Sequence, residues 1–217
     1  MRRRLLSPIL GPPRTALLDV AEGLDIQVST LHLHELEVSE PRADFDLEIA
    51  EAEARARSGR VGDSAPARSL YRRFGQDPTR HRPSSEALLR RVRRGDGLPR
   101  VNTLVDVANV LSLRLQVPVG LYDLDQVVGR LSIRLGRPGE SYAGIGKETV
   151  NVAGRLCVAD ELGACGNPSA DSARTMITTS THQAVWIFFL PVRDRDLRLT
   201  YEMVARFGRG LVRVPEP

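Results

Sequence analysis

The stretch LPRVNTLVDVANVLSLRLQVPVGLYD, residues 98–123, holds the first groups able to do chemistry. Asn102, Asp106 and Asn109 interrupt an otherwise apolar run. At about 3.6 residues per turn they fall on one narrow stripe of a helix. The rest of the circumference is Val101, Leu104, Val105, Val107, Ala108, Val110, Leu111, Leu113 and Leu115, so the helix is expected to be buried nearly all round. A buried amide left without a partner costs about 1–3 kcal/mol. The stripe therefore bonds other protein groups or wets a cavity wall, where two amides and a carboxylate could orient a substrate or a water. Each group also has a purely structural use. Asn102 can cap the helix, Asp106 can tie a loop, and Asn109 can bond neighbouring backbone. The alignment of all three favours the cavity wall.

The turn after the helix adds Tyr122, Asp123 and Asp125, with Gly120 where the backbone can come close to another group. In an extended segment Asp123 and Asp125 share a face. Paired carboxylates could bind a metal or an ammonium, or share a proton; capping of a turn is the alternative. Further on, Asp171, Ser172 and Arg174 lead into the Thr-rich ARTMITTST. As a strand it would place Thr175, Ile177, Thr179 and Thr181 on one face. Hydroxyls there could orient a substrate, although Thr favours strands for ordinary reasons.

Other motifs carry less. GRPGESYAGIGKET has the sole lysine, Lys147, in a Gly-rich loop. Glu148 stands where a phosphate loop needs Ser or Thr, and Ser141 where it needs a glycine, so triphosphate binding is excluded. His32 and His34 share a strand face but lack a third ligand, which reads as a surface pair and gives no metal site. His182 has no acid nearby and no GxSxG accompanies it. Cys157 and Cys165 lack metal spacing, and no cofactor is implied. RRVRRGDGLPR is the densest basic patch; Arg90, Arg91, Arg93, Arg94 and Arg100 could track an RNA backbone or form a solvated face.

The elements that position these groups follow from pattern. Helices are expected from Phe45 to Arg57, over 67–74, over SEALLRRVRR with Ser84 or Ser85 as cap, from Asn102 to Gln116, and from Asp194 to Phe207. Strands are expected within 15–40 and over 129–135, 151–160, 173–181 and 184–192. Helices first and strands later predict an α+β fold, with helices packed on a sheet.

Residues 1–14 read as a disordered tail and 15–217 as one domain, with its core over 68–190. A formal charge of +4 agrees weakly with a polyanionic partner. The basic residues are almost all Arg, whose fork suits phosphate, and which a GC-rich genome also explains. Two cysteines make no disulfide scaffold, which points to a reducing cytoplasm. No stretch approaches the roughly 18 apolar residues of a membrane span. The apolar part of MRRRLLSPILGPP is cut by Pro8, so export is not expected.

The run from Leu98 to Glu140 resembles the tRNA-editing module of the bacterial phenylalanyl-tRNA synthetase beta subunit. The matching positions are Asn102, Leu104, Val105, Asp106, Asn109, Tyr122, Asp123, Leu124, Asp125, Arg134, Gly139 and Glu140. The segment YRRFGQDPTRHRPSSEALLRRVRRG is similar to the preamble of free-standing versions of that module. The resemblance covers roughly residues 16–190. It implies an α+β fold with a mixed or antiparallel sheet, or a barrel-like sandwich, with helices packed on it. It also implies a pocket for an aminoacyl group, an aminoacylated tRNA as partner rather than DNA or a membrane, and ester hydrolysis of a mischarged aminoacyl-tRNA. A binding or sensing module without chemistry, or an accessory partner of a synthetase, is the alternative. On this reading Asn102, Asp106, Asn109, Asp123 and Asp171 orient the amino acid or a water, and Arg134 and Arg174 hold charge or phosphate. Gly120, Tyr122, Asp125, Glu140, Ser172 and Thr179 complete the substrate site. Two departures stand out. Gly120 occupies the place of a histidine in the synthetase module, and no acid stands near Thr179 or Ser180 to read a tyrosine hydroxyl. Tyrosine specificity is therefore not carried over.

Overall fold

The computed structural model describes residues 18–208 and 211–213. Strands β1 (Leu18–Val20) and β2 (Ser29–His34) precede α1 (Asp46–Arg57), α2 (Ala65–Arg73), α3 (Ser84–Arg93) and α4 (Thr103–Leu115). Strands β3 (Val119–Asp123), β4 (Leu131–Leu135), β5 (Ser141–Gly144), β6 (Lys147–Asn151), β7 (Leu156–Asp160), β8 (Gly163–Asn167), β9 (Ala170–Asp171) and β10 (Ala184–Phe188) follow. Helix α5 (Asp194–Met203) and β11 (Leu211–Arg213) close the described chain. The fold is α+β, as the element pattern predicts. No helix among the described residues is long and apolar enough to cross a membrane.

Helix ends follow local chemistry. In α1, Asp46 and Glu48 occupy the first turn and Arg55 and Arg57 the last, matching the helix dipole. The Asn102 side chain caps α4 by accepting the Val105 N–H at 2.9 Å. Gln116 ends that helix in the left-handed region at φ 57°. Neither Ser84 nor Ser85 caps α3; Pro83 occupies that place, with no side-chain hydrogen bond.

The strands form three sheets. One runs β1-β4-β7-β8-β9, one β11-β2-β10-β3, and β5-β6 is a hairpin. Strand β10 is central to the four-stranded sheet, with Trp186 opposite Leu31 on β2 and Leu121 on β3. Strand periodicity sends its side chains both ways. Trp186 and Phe188 pack with Leu104, Val107 and Leu111 of α4. Val185 and Ile187 pack with Leu131, Ile133, Leu156 and Val158 of the five-stranded sheet. The four-stranded sheet is thus a middle layer, which explains why AVWIF is apolar throughout and fully buried.

Three expectations change. ARTMITTST is not a strand. The Thr181 hydroxyl accepts the Thr178 N–H, and the Thr178 hydroxyl accepts the Ser180 N–H, so side chains take the place of a ladder. The strand expected over 151–160 begins only at Leu156, after a turn at Gly154. His32 and His34 are buried in β2, not a surface pair. Burial lowers the His32 pKa, and neighbouring His34 lowers it further. The tail expected over 1–14 lies outside the described residues.

Candidate functional site

A cavity of about 180 Å³ opens against α4. Val105, Ala108, Asn109 and Ser112 of α4, with Val101 just before it, form one wall. Leu88 of α3, Val119 and Leu121 of β3, and Ile177 complete an apolar lining. Val101, Ile145 and Met176 stand at 48%, 49% and 37% exposure, and mark where the cavity meets solvent.

The polar groups on the wall are Ser84, Asn109, Ser112 and Asp171. The Ser112 hydroxyl donates to the Val117 carbonyl at 2.8 Å. Asn109 Nδ2 donates to the Pro99 carbonyl at 3.5 Å, the long limit of such a bond. The Ser84 hydroxyl is buried without a partner.

Asp171 differs from the rest. Pairing of β9 with β8 sets it opposite Gly166, and its carbonyl accepts the Ile145 N–H at 3.2 Å. Its Oδ2 accepts the Leu121 N–H at 3.3 Å, while Oδ1 is buried with no partner. The hydroxyl of Tyr122, also buried, lies close enough to the carboxyl to act on it, although it meets no acceptor at full hydrogen-bond geometry. Burial pushes the Asp171 carboxyl up to about 7, against the smaller opposing pull of the Leu121 amide and the Tyr122 hydroxyl.

Of the residues singled out from sequence, the structure brings Asn109 and Asp171 to the cavity. Of the polar stripe on α4 only Asn109 reaches its wall. Asn102 caps the helix and donates to the Ile177 carbonyl at 3.2 Å. Asp106 accepts Arg100 Nε at 2.7 Å and the Val101 N–H at 2.9 Å. Asp123 and Asp125 do not share a face. Asp123 accepts the Thr181 hydroxyl at 2.6 Å and the Asp125 N–H at 2.9 Å, in a turn that leaves Asp125 exposed. Gly120 is where the backbone comes close, and what it approaches is the ring of Tyr122.

Arg134 grips Glu140 with two bonds of 2.7 and 2.6 Å. That guanidinium, helped by the Arg137 and Ala164 amides, pulls Glu140 down to about 2 despite partial burial. Arg174 holds Asp160 likewise, at 2.8 Å twice. The Ser172 hydroxyl accepts the Arg174 N–H, and Thr179 is exposed. On α3 and at its C-cap, Arg90, Arg91, Arg93 and Arg94 are exposed. Arg94 pairs with Asp96, Arg91 bonds the Gly97 carbonyl and Arg93 that of Ala56. Arg100 is consumed internally, bridging Asp106, Asp46 and the Arg42 carbonyl. The free thiols of Cys157 and Cys165 are buried, which raises them to about 11 and about 12. Sequence reasoning missed the wall formed by Val101, Val105, Ala108 and Ser112. Its signal was the i, i+4, i+7, i+11 spacing, hidden in a helix apolar on every side.

The fold thus has three layers, with a mostly apolar cavity beside α4 that Asp171 helps to line. A family model described as the B3/4 domain matches residues 66–213, and the chain belongs to that family. It is 32% identical over 123 residues to the phenylalanine–tRNA ligase beta subunit of Psychrobacter arcticus, and 38% identical over 123 residues to that of Bartonella henselae. Each match covers 53% of this chain and 15% of the relative, so the chain spans a small part of the length of these curated relatives. A solved N-terminal fragment of the beta subunit from Pyrococcus horikoshii overlays 96% of this chain and 53% of its own, at 13% identity and a TM-score of 0.47.

Proposed function

We propose that this domain receives the aminoacyl group of a mischarged aminoacyl-tRNA in the cavity beside α4 and hydrolyses its ester. The observation that carries the reading is that cavity, with Asn109 and Asp171 on its wall, in a chain of the B3/4 family. Its volume of about 180 Å³ suits one amino-acid side chain; a dry engineered cavity of roughly 150 Å³ admits benzene. An aminoacyl ester is intrinsically labile, so holding a water against the carbonyl and steadying the developing oxyanion is sufficient chemistry. The exposed arginines of α3, which follow cavity-lining Leu88 along the same helix, supply phosphate contacts for the acceptor end.

Deacylation assays against a panel of mischarged tRNAs test this directly. Wild-type protein is expected to release the amino acid from at least one member, and Asn109→Ala to slow that release. A panel left intact by wild-type protein ends the hydrolytic reading. The local bonding of Asn102, Asp106 and Asp123 supports a second reading, a tRNA-binding or amino-acid-sensing module without chemistry. Thermal-shift screening with free amino acids identifies that case.

A further inference from the structure

We infer that the cavity beside α4 takes an apolar amino-acid side chain and rejects the hydroxylated isostere of the same shape. The inference names the substrate class of the hydrolytic site and rests on that reading. Away from the mouth the lining is Leu88, Val105, Ala108, Val119, Leu121 and Ile177, all aliphatic. The mouth is apolar too. Val101 ahead of α4, Ile145 between β5 and β6, and Met176 after β9 stand exposed there. No Arg, Lys, His or Glu lines the cavity among the described residues.

A hydroxyl carried into this space needs a partner, and the polar side chains of the wall do not supply one. Ser112 is buried, and its hydroxyl is spent on the Val117 carbonyl at 2.8 Å. The Ser84 hydroxyl and Asp171 Oδ1 are themselves buried, out of reach of a guest. Asp171 Oδ2 receives the Leu121 N–H at 3.3 Å. Asn109 is half-buried and makes the long 3.5 Å bond to the Pro99 carbonyl. Its partial exposure turns it towards solvent, where the guest carries the amino and ester groups common to every aminoacyl ester. Asn109 therefore holds the guest without reading its side chain.

Shape admits a ring or a branched chain, since about 180 Å³ exceeds the roughly 150 Å³ that encloses benzene. Polarity then decides. Phenylalanine and tyrosine differ by one hydroxyl, and threonine has a hydroxyl where valine has a methyl. In an aliphatic pocket that hydroxyl loses its water and gains no bond. Such a pocket separates an isosteric pair by roughly 100-fold, well short of the 10,000-fold or more of a site built to bond a hydroxyl. A charged side chain fares worse, because no opposite charge meets it on this wall.

The test uses amide-linked, non-hydrolysable 3′-aminoacyl adenosines in two matched pairs, phenylalanyl with tyrosyl and valyl with threonyl. Each is titrated calorimetrically into the full chain. The apolar member of each pair is expected to bind at least about 10-fold more tightly. Asn109→Ala is expected to weaken both members of a pair alike. Ala108→Leu fills the cavity from α4 and is expected to weaken the phenylalanyl analogue at least about 10-fold. Val105→Phe, at a half-buried position of the same wall, replaces it if the leucine variant does not fold. Equal or tighter binding of the hydroxylated members overturns the substrate class and leaves the hydrolytic reading to the deacylation panel. A loss in Asn109→Ala confined to the hydroxylated members overturns it as well, because Asn109 would then be the partner of the hydroxyl. Undiminished binding in the filled variant, or no binding of any analogue by wild type, places the guest elsewhere and ends the inference. A tRNA panel left intact by a protein that binds with the expected preference removes the hydrolysis, and the selectivity stands as that of a sensing module.

Discussion

The hydroxyl of Tyr122 occupies the space where a Cβ on Gly166 would stand, 2.3 Å away. Tyr122 belongs to the four-stranded sheet and Gly166 to the five-stranded sheet, so the contact sets how closely the two layers approach beside the cavity. Gly120 makes the same concession from within β3, at 2.6 Å. Alanine at either position is expected to cost about 1–3 kcal/mol by overpacking. Urea denaturation measures it. Around Gly120 the hydroxyl is the nearest atom, so Gly120→Ala combined with Tyr122→Phe is expected to recover part of the loss. Strict additivity would show that the two do not collide.

The buried Asp171 carboxyl makes stability depend on pH. Its folded value of about 7 lies above the usual 3.8. The contribution is therefore full below about pH 4, falls as pH rises, and is lost above about 7. Asp171→Asn is expected to flatten this slope and to melt above wild type at pH 8. Melting curves from pH 4 to pH 8 check it; parallel curves for the two proteins would show that burial does not perturb this group.

Glu140 has the opposite sign. Its value of about 2 lies below the usual 4.5, so its contribution is present above about 4.5 and lost as pH falls towards 2. Both partners of the Arg134–Glu140 pair are largely shielded, at 16% and 13% side-chain exposure. Glu140→Gln is expected to cost about 3 kcal/mol at neutral pH and to remove that acid-range dependence. Chemical denaturation at pH 7 and pH 3 reads both.

Asn102 does two jobs with two atoms. Asn102→Ala is expected to cost about 1–2 kcal/mol through the lost cap of α4, and more through the lost bond to the Ile177 carbonyl. Asn102→Asp keeps the acceptor for the Val105 N–H and lacks the donor, so it should fall between wild type and alanine. Equal stability of Asp and Ala variants would mean that the cap contributes little.

Charge on α3 separates binding from folding. Arg90→Ala is expected to leave the melting temperature unchanged and to reduce the salt slope of tRNA affinity by about one. Arg100→Ala is expected to destabilise instead, since Arg100 bridges Asp46 and Asp106. Filter binding at several salt concentrations, beside melting curves, distinguishes the two. An unchanged slope for Arg90→Ala would remove this face from the RNA-binding surface.

The legible parts of the fold were those decided within a few residues. The start of α4 at Asn102 and its end at Gln116 before Pro118 follow from a side-chain cap and a left-handed residue, both local events. The apolar run 184–188 announced a strand, and its burial on both faces followed from lacking any polar side. The Thr-rich segment misled because Thr favours strands in general, while here Thr178 and Thr181 bond nearby backbone and hold a turn.

The sequence by itself determined which groups were available: a polar stripe on α4, an acid at 171, and a family likeness from Leu98 to Glu140. Only the tertiary structure decided which of them face empty space. Asp106 is met by Arg100, Asn102 by the Ile177 carbonyl, and Asp123 by Thr181. Asp171 lines the cavity, and one of its oxygens is buried without a hydrogen-bond partner. The physical reason is that a buried polar atom is silent or reactive according to whether packing brings it a partner, and in most of these cases that partner comes from another part of the chain.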